Sequence, residues 1–507
     1  MGATLNWIDG AMLFAYGVML AAIALYHSRK IRARDDFLLA GRSMSRWPIA
    51  LSMYVALFST NTFIGMIGWV NRPDGTIWIG LQTLGIMMGV PFVVKLYPDI
   101  FFRLRITTAY EYLERRFNYA VRAFATVFFI GSRIMWMATM LYGGSLVISQ
   151  MLGWTAERGV PHGQFYAIVL LGTLGMFFGL AGGMHAVIWT DVAQFFVLFG
   201  SVAVMIHLAV TLSGGPAQVL ALAAEAGKFA PPKLFSAADD LSVLSGLMLG
   251  FIGMLSSAGA DQVVLQTYLT AKSAEEAKAS LWRNGLLLKP LSLLFPTLGV
   301  IIFVYFGRHP GQAALMRVSD DALPVYVLNV LPAGVRGLAI AALMSALLTS
   351  LEGGMAALSA SIQVDYVQRW IRRPLSDRAT VRLGRALMFG WGVLIVCAAL
   401  FVLRLGKDHN IIQILNMVMY PFAGVLLGLF LLGLTTWRAN GWGALAGGVA
   451  GFCLTVSASL AGAKLSSFYY GALSTGTTFV IGYLASLLFR APEERQLKGL
   501  THARRSK

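Results

Sequence analysis

Cysteine and charge are both scarce in this chain. Cys397 and Cys453 are the only cysteines among 507 residues. Both fall in apolar segments that are predicted to be helical, which argues against a structural disulfide or a thiolate metal site. Charged residues make up 12% of the sequence and hydrophobic residues 57%. This composition excludes an ordinary soluble domain and indicates a polytopic membrane protein.

The sequence also lacks the signatures of several functional classes. An intramembrane enzyme needs a nucleophile with a base, or a metal cluster, but HExxH and paired catalytic aspartates are absent, and His185 and His207 are isolated. A channel needs a selectivity ring built from an oligomer or a four-fold repeat, whereas the repeat described below is two-fold. The tail at 490–507 is too short for the output domain of a sensor. We therefore expect a transporter and no enzyme.

Long apolar stretches dominate what is present. A hydrocarbon core of ~30 Å requires about 20 apolar residues in a helix, and about thirteen segments meet this requirement. The first segment has no basic leader and no small-residue cleavage site, so we expect a retained helix and not a signal peptide. The predicted spans are 6–27, 46–70, 77–97, 119–149, 164–181, 185–212, 241–263, 280–307, 335–369, 382–404, 411–433, 440–461 and 467–489.

Basic residues concentrate on one set of loops. The loops after the first, third, seventh, ninth, eleventh and thirteenth spans carry about 26 lysines and arginines, against about 10 on the other side. The positive-inside rule then predicts an N-terminus outside and a C-terminus in the cytoplasm, in a multi-pass protein of the cell (inner) membrane. Because the net charge of +17 is spread over many short loops, it is a topology signal, and nucleic-acid binding is not expected.

Two predicted spans are interrupted by glycine and small polar residues. One contains VALFSTNTFIGMIG at 55–68, and the other contains GFIGMLSSAGAD at 250–261. A helix in lipid must satisfy its own backbone, so such interruptions indicate backbone that lines a cavity or binds a ligand. The two segments lie five spans apart, and this odd spacing predicts two inverted five-helix repeats, a pattern typical of secondary transporters. The glycines at 441–451 are instead attributed to close helix packing.

The predicted fold class is an all-α polytopic membrane protein with about 13 transmembrane helices and a five-plus-five inverted-repeat core. The predicted organisation is a peripheral helix and cytoplasmic loop at 1–45, a first repeat at 46–212, an extracellular loop at 213–240, a second repeat at 241–433, two peripheral helices at 434–489 and a basic cytoplasmic tail at 490–507.

Several charged residues fall inside predicted spans, where charge is costly and usually faces the bundle interior. Arg133 lies about 14 residues, roughly 20 Å, from either end of its helix, too far to reach an interface. It pairs either with Asp191 or Glu352, or with an anionic substrate through a bidentate guanidinium contact. Lys289 precedes Pro290 and is either a member of an ion pair or a gate.

Ala346, Thr349 and Ser350 share one face of the ninth predicted span, because they stand at positions i, i+3 and i+4. Two hydroxyls and a carbonyl then point together. Sodium takes oxygen ligands, so this face, completed by carbonyls of an unwound helix, predicts a sodium site. The alternative is that the hydroxyls bond back to their own helix, as they more often do in membrane helices.

Seven segments carry a resemblance to a known family: DFLLAGRSMSRWPIALSM at 36–53, FIGMIG at 63–68, RITTAYEYLERRF at 105–117, GGMHAVIWTDVAQ at 182–194, ADQVVLQTYLTAKSAEEAKASLW at 260–282, LMSALLTSLEGGMAALSAS at 343–361 and YPFAGVLLGLFLLGL at 420–434. With these segments, the chain resembles the solute:sodium symporter family from about residue 36 to about residue 460. Members of that family carry sugars, proline, pantothenate, sialic acid, monocarboxylates, iodide and vitamins. The resemblance implies the fold of that family, a leucine-transporter-like inverted repeat of five plus five helices with extra helices at the ends.

The resemblance implies a sodium site shared across the family. Glu352 and Gly353 stand where some relatives bind a second sodium through hydroxyls, and Glu352 instead carries a proton or pairs with Arg133. The groups implied for the shared site are the carbonyls of Val55, Phe58 and Ala346, the hydroxyls of Thr349 and Ser350, and the nearby carboxylate of Asp191.

The resemblance also implies a substrate site. Ser257 stands where galactose-type carriers place an aromatic gate, which argues against a sugar. In the sialic acid carriers of the family, four polar side chains contact the substrate, and the matching residues here are Ser59, Thr62, Gln82 and Arg133.

Together these features predict a sodium-coupled symporter that imports a small polar organic solute, an organic anion such as a sialic acid or a monocarboxylate, by alternating access. The expected partners are the solute, Na+ and the lipid bilayer, and no obligate protein partner is evident. One alternative is a sodium/sugar symporter, or one for another neutral solute. The other is a proton-coupled symporter that uses Asp191 or Glu352.

Overall fold

The computed structural model describes residues 6–29, 34–154, 160, 162–239, 241–316, 318–371, 376–405, 411–461 and 465–502. Within these residues the chain is helical and forms no named strand; the only extended pairing is an isolated bridge between Met44 and Ala271. The predicted all-α class is confirmed. A buried apolar core extends from Phe37 to Leu500 and includes residues of most helices.

The α-helices of the described residues are numbered in chain order. Those of the first half are α1 (Trp7–Ser28), α2 (Arg34–Leu39), α3 (Arg46–Leu57), α4 (Thr60–Asn71), α5 (Leu81–Leu96), α6 (Pro98–Leu104), α7 (Tyr110–Arg116), α8 (Tyr119–Met151), α9 (Gly163–Leu212) and α10 (Pro216–Glu225). Those of the second half are α11 (Val243–Gly259), α12 (Gln262–Leu269), α13 (Ala274–Trp282), α14 (Leu294–Arg308), α15 (Pro310–Ala313), α16 (Ala322–Asn329), α17 (Val335–Ser361), α18 (Gln368–Trp370), α19 (Asp377–Leu405), α20 (Ile411–Thr435), α21 (Gly441–Leu460) and α22 (Tyr470–Leu487).

The number of membrane spans is smaller than predicted. In the described part of the chain, 9 helices are long and apolar enough to cross a membrane, or 11 if each of two bent pairs is one span. The predicted count of thirteen is therefore not confirmed. The predicted segment 164–181 forms the start of α9; its part Gly163–Phe177 is an apolar helix too short to count as a span, and the side chains at 178–181 lie outside the described ones. The predicted segment 467–489 gives α22, whose glycines, serines and threonines lower its hydropathy.

The two bent pairs are the two interrupted segments that the sequence predicts. Between α3 and α4 the chain turns by 53°, and between α11 and α12 by 56°. Ser59 is extended at the first break and its Oγ accepts a hydrogen bond from the backbone N–H of Thr62 at 3.2 Å. Asp261 occupies the same place at the second break, where its Oδ1 accepts from the N–H of Val263 at 2.8 Å. Each break is thus closed by a side chain that caps the following helix.

Close packing of glycine brings α11 against α5. A Cβ at Gly250 would lie 1.9 Å from the carbonyl oxygen of Gln82, and one at Gly85 would lie 2.1 Å from that of Leu247. The glycines of α21 pack in the same way against α22: a Cβ at Gly447 would lie 2.3 Å from a backbone oxygen there. The packing interpretation of 441–451 is confirmed.

The span that contains α13 and α14 is irregular in its middle. Arg283–Leu288 forms a π-helix and Lys289–Leu293 forms a 3-10 helix. Pro290 has no N–H to donate to the preceding turn, so regular α-helical bonding is interrupted there. The buried polar and charged residues of this irregular stretch are Asn284, Lys289 and Ser292.

The segment that follows α22 packs against the bundle, although the sequence suggested only a basic stub. Gln496 donates from Nε2 to the carbonyl of Phe117 at 2.6 Å. The carbonyl of Leu500 accepts from Tyr112 Oη at 2.9 Å, and Leu500 itself is buried. The described part of this segment therefore joins the end of the bundle that is formed by α7 and α20.

Candidate functional site

A cavity lies between α4, α5, α8, α11, α20 and the irregular span before α14. Its volume is about 190 Å³, whereas one buried water needs only about 10–15 Å³ on the same scale. It therefore has room for a small solute. Apolar side chains such as Met66, Trp136 and Tyr420 form much of the wall. The polar and charged lining includes Thr62, Gln82, Arg133, Ser257, Asp261 and Lys289.

The structure brings most of the predicted substrate residues together and separates one. Thr62, Gln82, Arg133 and Ser257 all line the cavity. Ser59 is fully buried and its hydroxyl lies 3.2 Å from both the N–H and the hydroxyl of Thr62. Its side chain therefore caps α4 instead of facing the cavity.

Arg133 has a different partner from those the sequence suggested. Its Nη2 binds Oδ2 of Asp261, so the predicted pairing with Asp191 or Glu352 is wrong. The guanidinium also lies 5.8 Å from the centre of the Trp136 ring. The pair joins the middle of α8 to the break between α11 and α12, because that break turns Asp261 toward the cavity. The sequence analysis treated Asp261 as part of the break and missed it as an ion-pair partner.

Lys289 reaches the same cavity from the irregular span. It is buried, with 7% of its surface exposed. Its Nζ lies 5.2 Å from the centre of the Tyr54 ring, and Tyr54 Oη is 2.8 Å from Ser292 Oγ. No carboxylate of the described residues pairs with Lys289, so the interpretation of Lys289 as an ion-pair member within the protein is not supported.

Five of the six predicted sodium residues lie on, or directly after, two helices that pack together, α3 and α17, and the sixth, Asp191, lies on α9. Val55 is in the last turn of α3, and its carbonyl accepts from the N–H of Phe58 at 3.0 Å as the helix ends. On α17, Ser350 Oγ donates to the carbonyl of Ala346 at 3.3 Å and Thr349 Oγ1 to that of Ser345 at 3.0 Å. The hydroxyls therefore bond back to their own helix, as the alternative interpretation expected.

Two acidic residues are buried near this pair of helices. Asp191 is 1% exposed; its Oδ2 accepts from Ser52 Oγ of α3, and its Oδ1 has no hydrogen-bond partner among the described residues. Glu352 is 2% exposed; its Oε2 is 3.4 Å from Thr190 Oγ1, and its Oε1 is likewise unpartnered within the described chain. An all-oxygen set with an unpaired buried carboxylate oxygen fits a hard cation such as sodium.

Comparison with known proteins decides the family. A sequence model described as "Sodium:solute symporter family" matches residues 37–451. The chain belongs to the sodium:solute symporter family. The sequence resemblance is thus confirmed, and so is the expectation of a sodium-coupled transporter and not an enzyme.

Individual relatives match almost the whole chain. The sodium/sialic acid symporter NanT of Aliivibrio fischeri is 29% identical over 489 residues, which cover 96% of this chain and 94% of that protein. SiaT of Proteus mirabilis, also a sodium/sialic acid symporter, is 27% identical and covers 97% of both chains. The human sodium-coupled monocarboxylate transporter 1 is 29% identical over 87% of this chain and 71% of its own length.

Solved structures show the same fold. A substrate-bound, outward-open Na+-coupled sialic acid symporter matches with a TM-score of 0.87 and 24% identity over 96% of this chain and 99% of that one. Mhp1, a nucleobase-cation-symport-1 family transporter, matches with a TM-score of 0.54 and 12% identity over 92% and 97%. The leucine-transporter-like fold of the symporter family, with its inverted repeats, is confirmed.

Proposed function

We propose that this symporter imports a small organic anion together with sodium by alternating access. The observation that carries the proposal is the break between α3 and α4. On one side of it stand Val55 and Phe58, the predicted carbonyl ligands of sodium, and within one turn on the other side stands Thr62, which lines the cavity. In secondary transporters, ion and solute sites typically lie at such a discontinuous helix, where binding of one ligand influences binding of the other.

The proposed sodium site joins α3 to α17. Sodium takes the carbonyls of Val55, Phe58 and Ala346 and the hydroxyls of Thr349 and Ser350, and the carboxylate of Asp191 supports it from α9. Each hydroxyl donates its hydrogen to a carbonyl of its own helix, which leaves the oxygen lone pairs to bind the ion. A sodium ion that holds the break in one arrangement raises the affinity for the solute. By linkage, the solute raises the affinity for sodium by the same factor, and the coupling free energy is typically about 1–3 kcal/mol.

The proposed solute is an organic anion such as a sialic acid or a monocarboxylate. Sodium/sialic acid symporters and a monocarboxylate transporter are among the relatives. The cavity supports an anion because two of its three charged side chains, among those the structure describes, are cations. Ser257 gives the wall a small hydroxyl where a sugar carrier of this family would have an aromatic ring.

The proposed setting is the inner membrane, with the N-terminus outside and the C-terminus in the cytoplasm.

Sodium-dependent uptake into proteoliposomes tests the sodium site. The double variant Thr349→Ala/Ser350→Ala should raise the sodium concentration for half-maximal uptake by about tenfold or more, since about 1.4 kcal/mol of lost ligation is a factor of ten. Thr455→Ala is the matched control, because that hydroxyl also bonds back to its own helix, at 2.8 Å from the carbonyl of Gly451 in α21. An unchanged sodium dependence in the double variant would refute the assignment.

A panel of solutes tests the substrate class in the same preparation. N-acetylneuraminate, pyruvate and galactose would be compared for sodium-dependent stabilisation, because a ligand that binds the native state stabilises it by mass action. Stabilisation by galactose alone would replace the anion with a neutral sugar.

Proton coupling is the second candidate, and the unpartnered carboxylate oxygens of Asp191 and Glu352 favour it. Uptake that persists without sodium and collapses with a protonophore would establish it.

A further inference from the structure

Three charged side chains line the cavity in the described part of the chain: Arg133, Asp261 and Lys289. Arg133 and Asp261 are bound to each other, so their charges compensate. The positive charge of Lys289 is left over. A cavity with one excess positive charge inside a membrane protein favours a solute with one negative charge, because the pair is not screened there as it would be in water.

We infer that Lys289 is the residue that makes this cavity select an anion, and that it pairs with the carboxylate of the solute while Arg133 stays bound to Asp261. The inference deepens the proposed function and rests on it. The solute carboxylate would then be bound by Lys289 in the irregular span before α14, and not by Arg133 in α8 as the sequence predicts.

The surroundings of Lys289 support this assignment. The side chain is 7% exposed, and its only charge-compensating contact among the described residues is the face of the Tyr54 ring, at 5.2 Å. A buried ammonium without an acidic partner is unfavourable, and an aromatic face compensates only part of the lost hydration. Tyr54 is itself held by its hydrogen bond to Ser292. An incoming carboxylate would therefore supply the contact that Lys289 lacks.

The backbone around Lys289 has the form expected of a binding segment. The π-helix Arg283–Leu288 passes directly into the 3-10 helix Lys289–Leu293. A π-helical turn is often found at functional sites, and irregular backbone at membrane depth is tolerated where it lines a cavity. This one stretch supplies three polar lining residues, Asn284, Lys289 and Ser292. Asn284 anchors it to α3, because its Nδ2 donates to the carbonyl of Ala50 at 3.0 Å.

Arg133 already has an acidic partner, whereas Lys289 has none among the described residues, and Arg133 Nε is also without a hydrogen-bond partner there. Asp261 uses Oδ2 for Arg133 and Oδ1 for the N–H of Val263, so one carboxylate both closes the pair and caps α12. A solute carboxylate that took over Arg133 would leave Asp261 as an unpaired, largely buried acid beside a second carboxylate. Breaking one side of a buried pair in this way is strongly unfavourable. A solute carboxylate that binds at Lys289 leaves the pair of Arg133 and Asp261 intact.

The experiment compares an acid with its neutral ester. Dissociation constants of N-acetylneuraminate, pyruvate and their methyl esters would be measured by calorimetry on the purified full-length protein in saturating sodium. The quantity of interest is the preference for acid over ester. Lys289→Gln should reduce this preference by about tenfold or more, and Lys289→Arg should restore it to within about threefold, since the charge is kept. The double variant Arg133→Gln/Asp261→Asn keeps the net charge of the cavity, so it should change acid and ester affinity by similar factors.

Each result has a definite meaning. An unchanged preference in Lys289→Gln would overturn the inference and leave sodium-coupled anion uptake standing. The inference would also be overturned if the preference for acid over ester were lost in the double variant and kept in Lys289→Gln, because Arg133 would then be the anion site. If neither acid binds the unmodified protein in sodium, the proposed substrate class fails and the inference fails with it. Stabilisation of each variant by sodium alone reports whether it is folded, and Lys289→Met provides a second uncharged variant of similar shape.

Discussion

The contact of Gly250 with α5 gives a prediction whose size follows from the structure. In Gly250→Ala the new Cβ would lie 1.9 Å from the carbonyl oxygen of Gln82 and 2.8 Å from the backbone nitrogen of Ile86. An ordinary contact begins at 3.4 Å, so α5 and α11 would have to move apart by about 1.5 Å. Both opposing atoms belong to the backbone, and no rotamer change relieves the overlap. Overpacking costs typically 1–3 kcal/mol, and we expect about 3 kcal/mol here.

The neighbouring Gly253 provides a matched control on the same helix. A Cβ at Gly253 meets nothing within 4 Å, although Gly253 also lines the cavity. Gly253→Ala should therefore keep the packing and gain up to about 1 kcal/mol from helix propensity. Because the movement of α5 displaces Gln82 from the cavity wall, we also expect Gly250→Ala to weaken solute binding.

The measurement is the unfolding midpoint of the purified protein in detergent, followed as a function of temperature for the unmodified protein and both variants. The expected order of stability places Gly253→Ala at or above the unmodified protein and Gly250→Ala clearly below it. Equal midpoints for the two variants would show that α5 and α11 do not approach as closely as described, and the reasoning would fail.

Three other contacts can be tested in the same assay. Asp365 accepts four hydrogen bonds inside the bundle, so Asp365→Asn should lower the free energy of unfolding by about 3 kcal/mol. As a control, Asp99→Asn breaks a partly exposed ion pair with Lys278 and should lower it by less than about 1 kcal/mol. Similar losses in the two variants would contradict the prediction. Ser59→Ala removes a helix cap and should cost about 1 kcal/mol, with a smaller loss of solute affinity than Thr62→Ala; the opposite order of affinities would place Ser59 at the solute. Leu500→Gln should destabilise the protein by about 2 kcal/mol because Leu500 is buried, and an unchanged midpoint would show that the segment after α22 adds nothing to stability.

The breaks in the membrane helices could be predicted from the sequence because they depend on local composition. Glycine and small polar residues at membrane depth are conspicuous in an apolar chain, and 55–68 and 250–261 both contain a break. The role of Ser59 was not predicted: the sequence placed it at the solute, and in the structure its side chain caps α4. The predicted count of thirteen spans is not confirmed at 164–181, where the described apolar part ends at Phe177, or in α22, where hydropathy is borderline.

The partner of a buried charge could not be predicted in the same way. The position of Arg133, far from both ends of α8, indicates that it needs an anion. Which anion it finds depends on tertiary packing: Asp261 is 128 residues away, and only the bend after α11 brings it to α8. Hydropathy analysis likewise identifies Lys289 as an intramembrane cation, but the absence of an acidic partner among the described residues becomes visible only once the helices are packed.

The two capped breaks have nearly the same geometry and different electrostatics. At the second break, the chain supplies its own anion in Asp261 and its own cation in Arg133, so the break itself is charge-compensated before any ligand arrives. At the first break, the cap is the uncharged Ser59, and the half-helix ends on either side keep their partial charges, negative at the end of α3 and positive at the start of α4. The two breaks are therefore alike in shape and different in charge. The first break, which has no charge pair of its own, is the one that an imported sodium ion would complete.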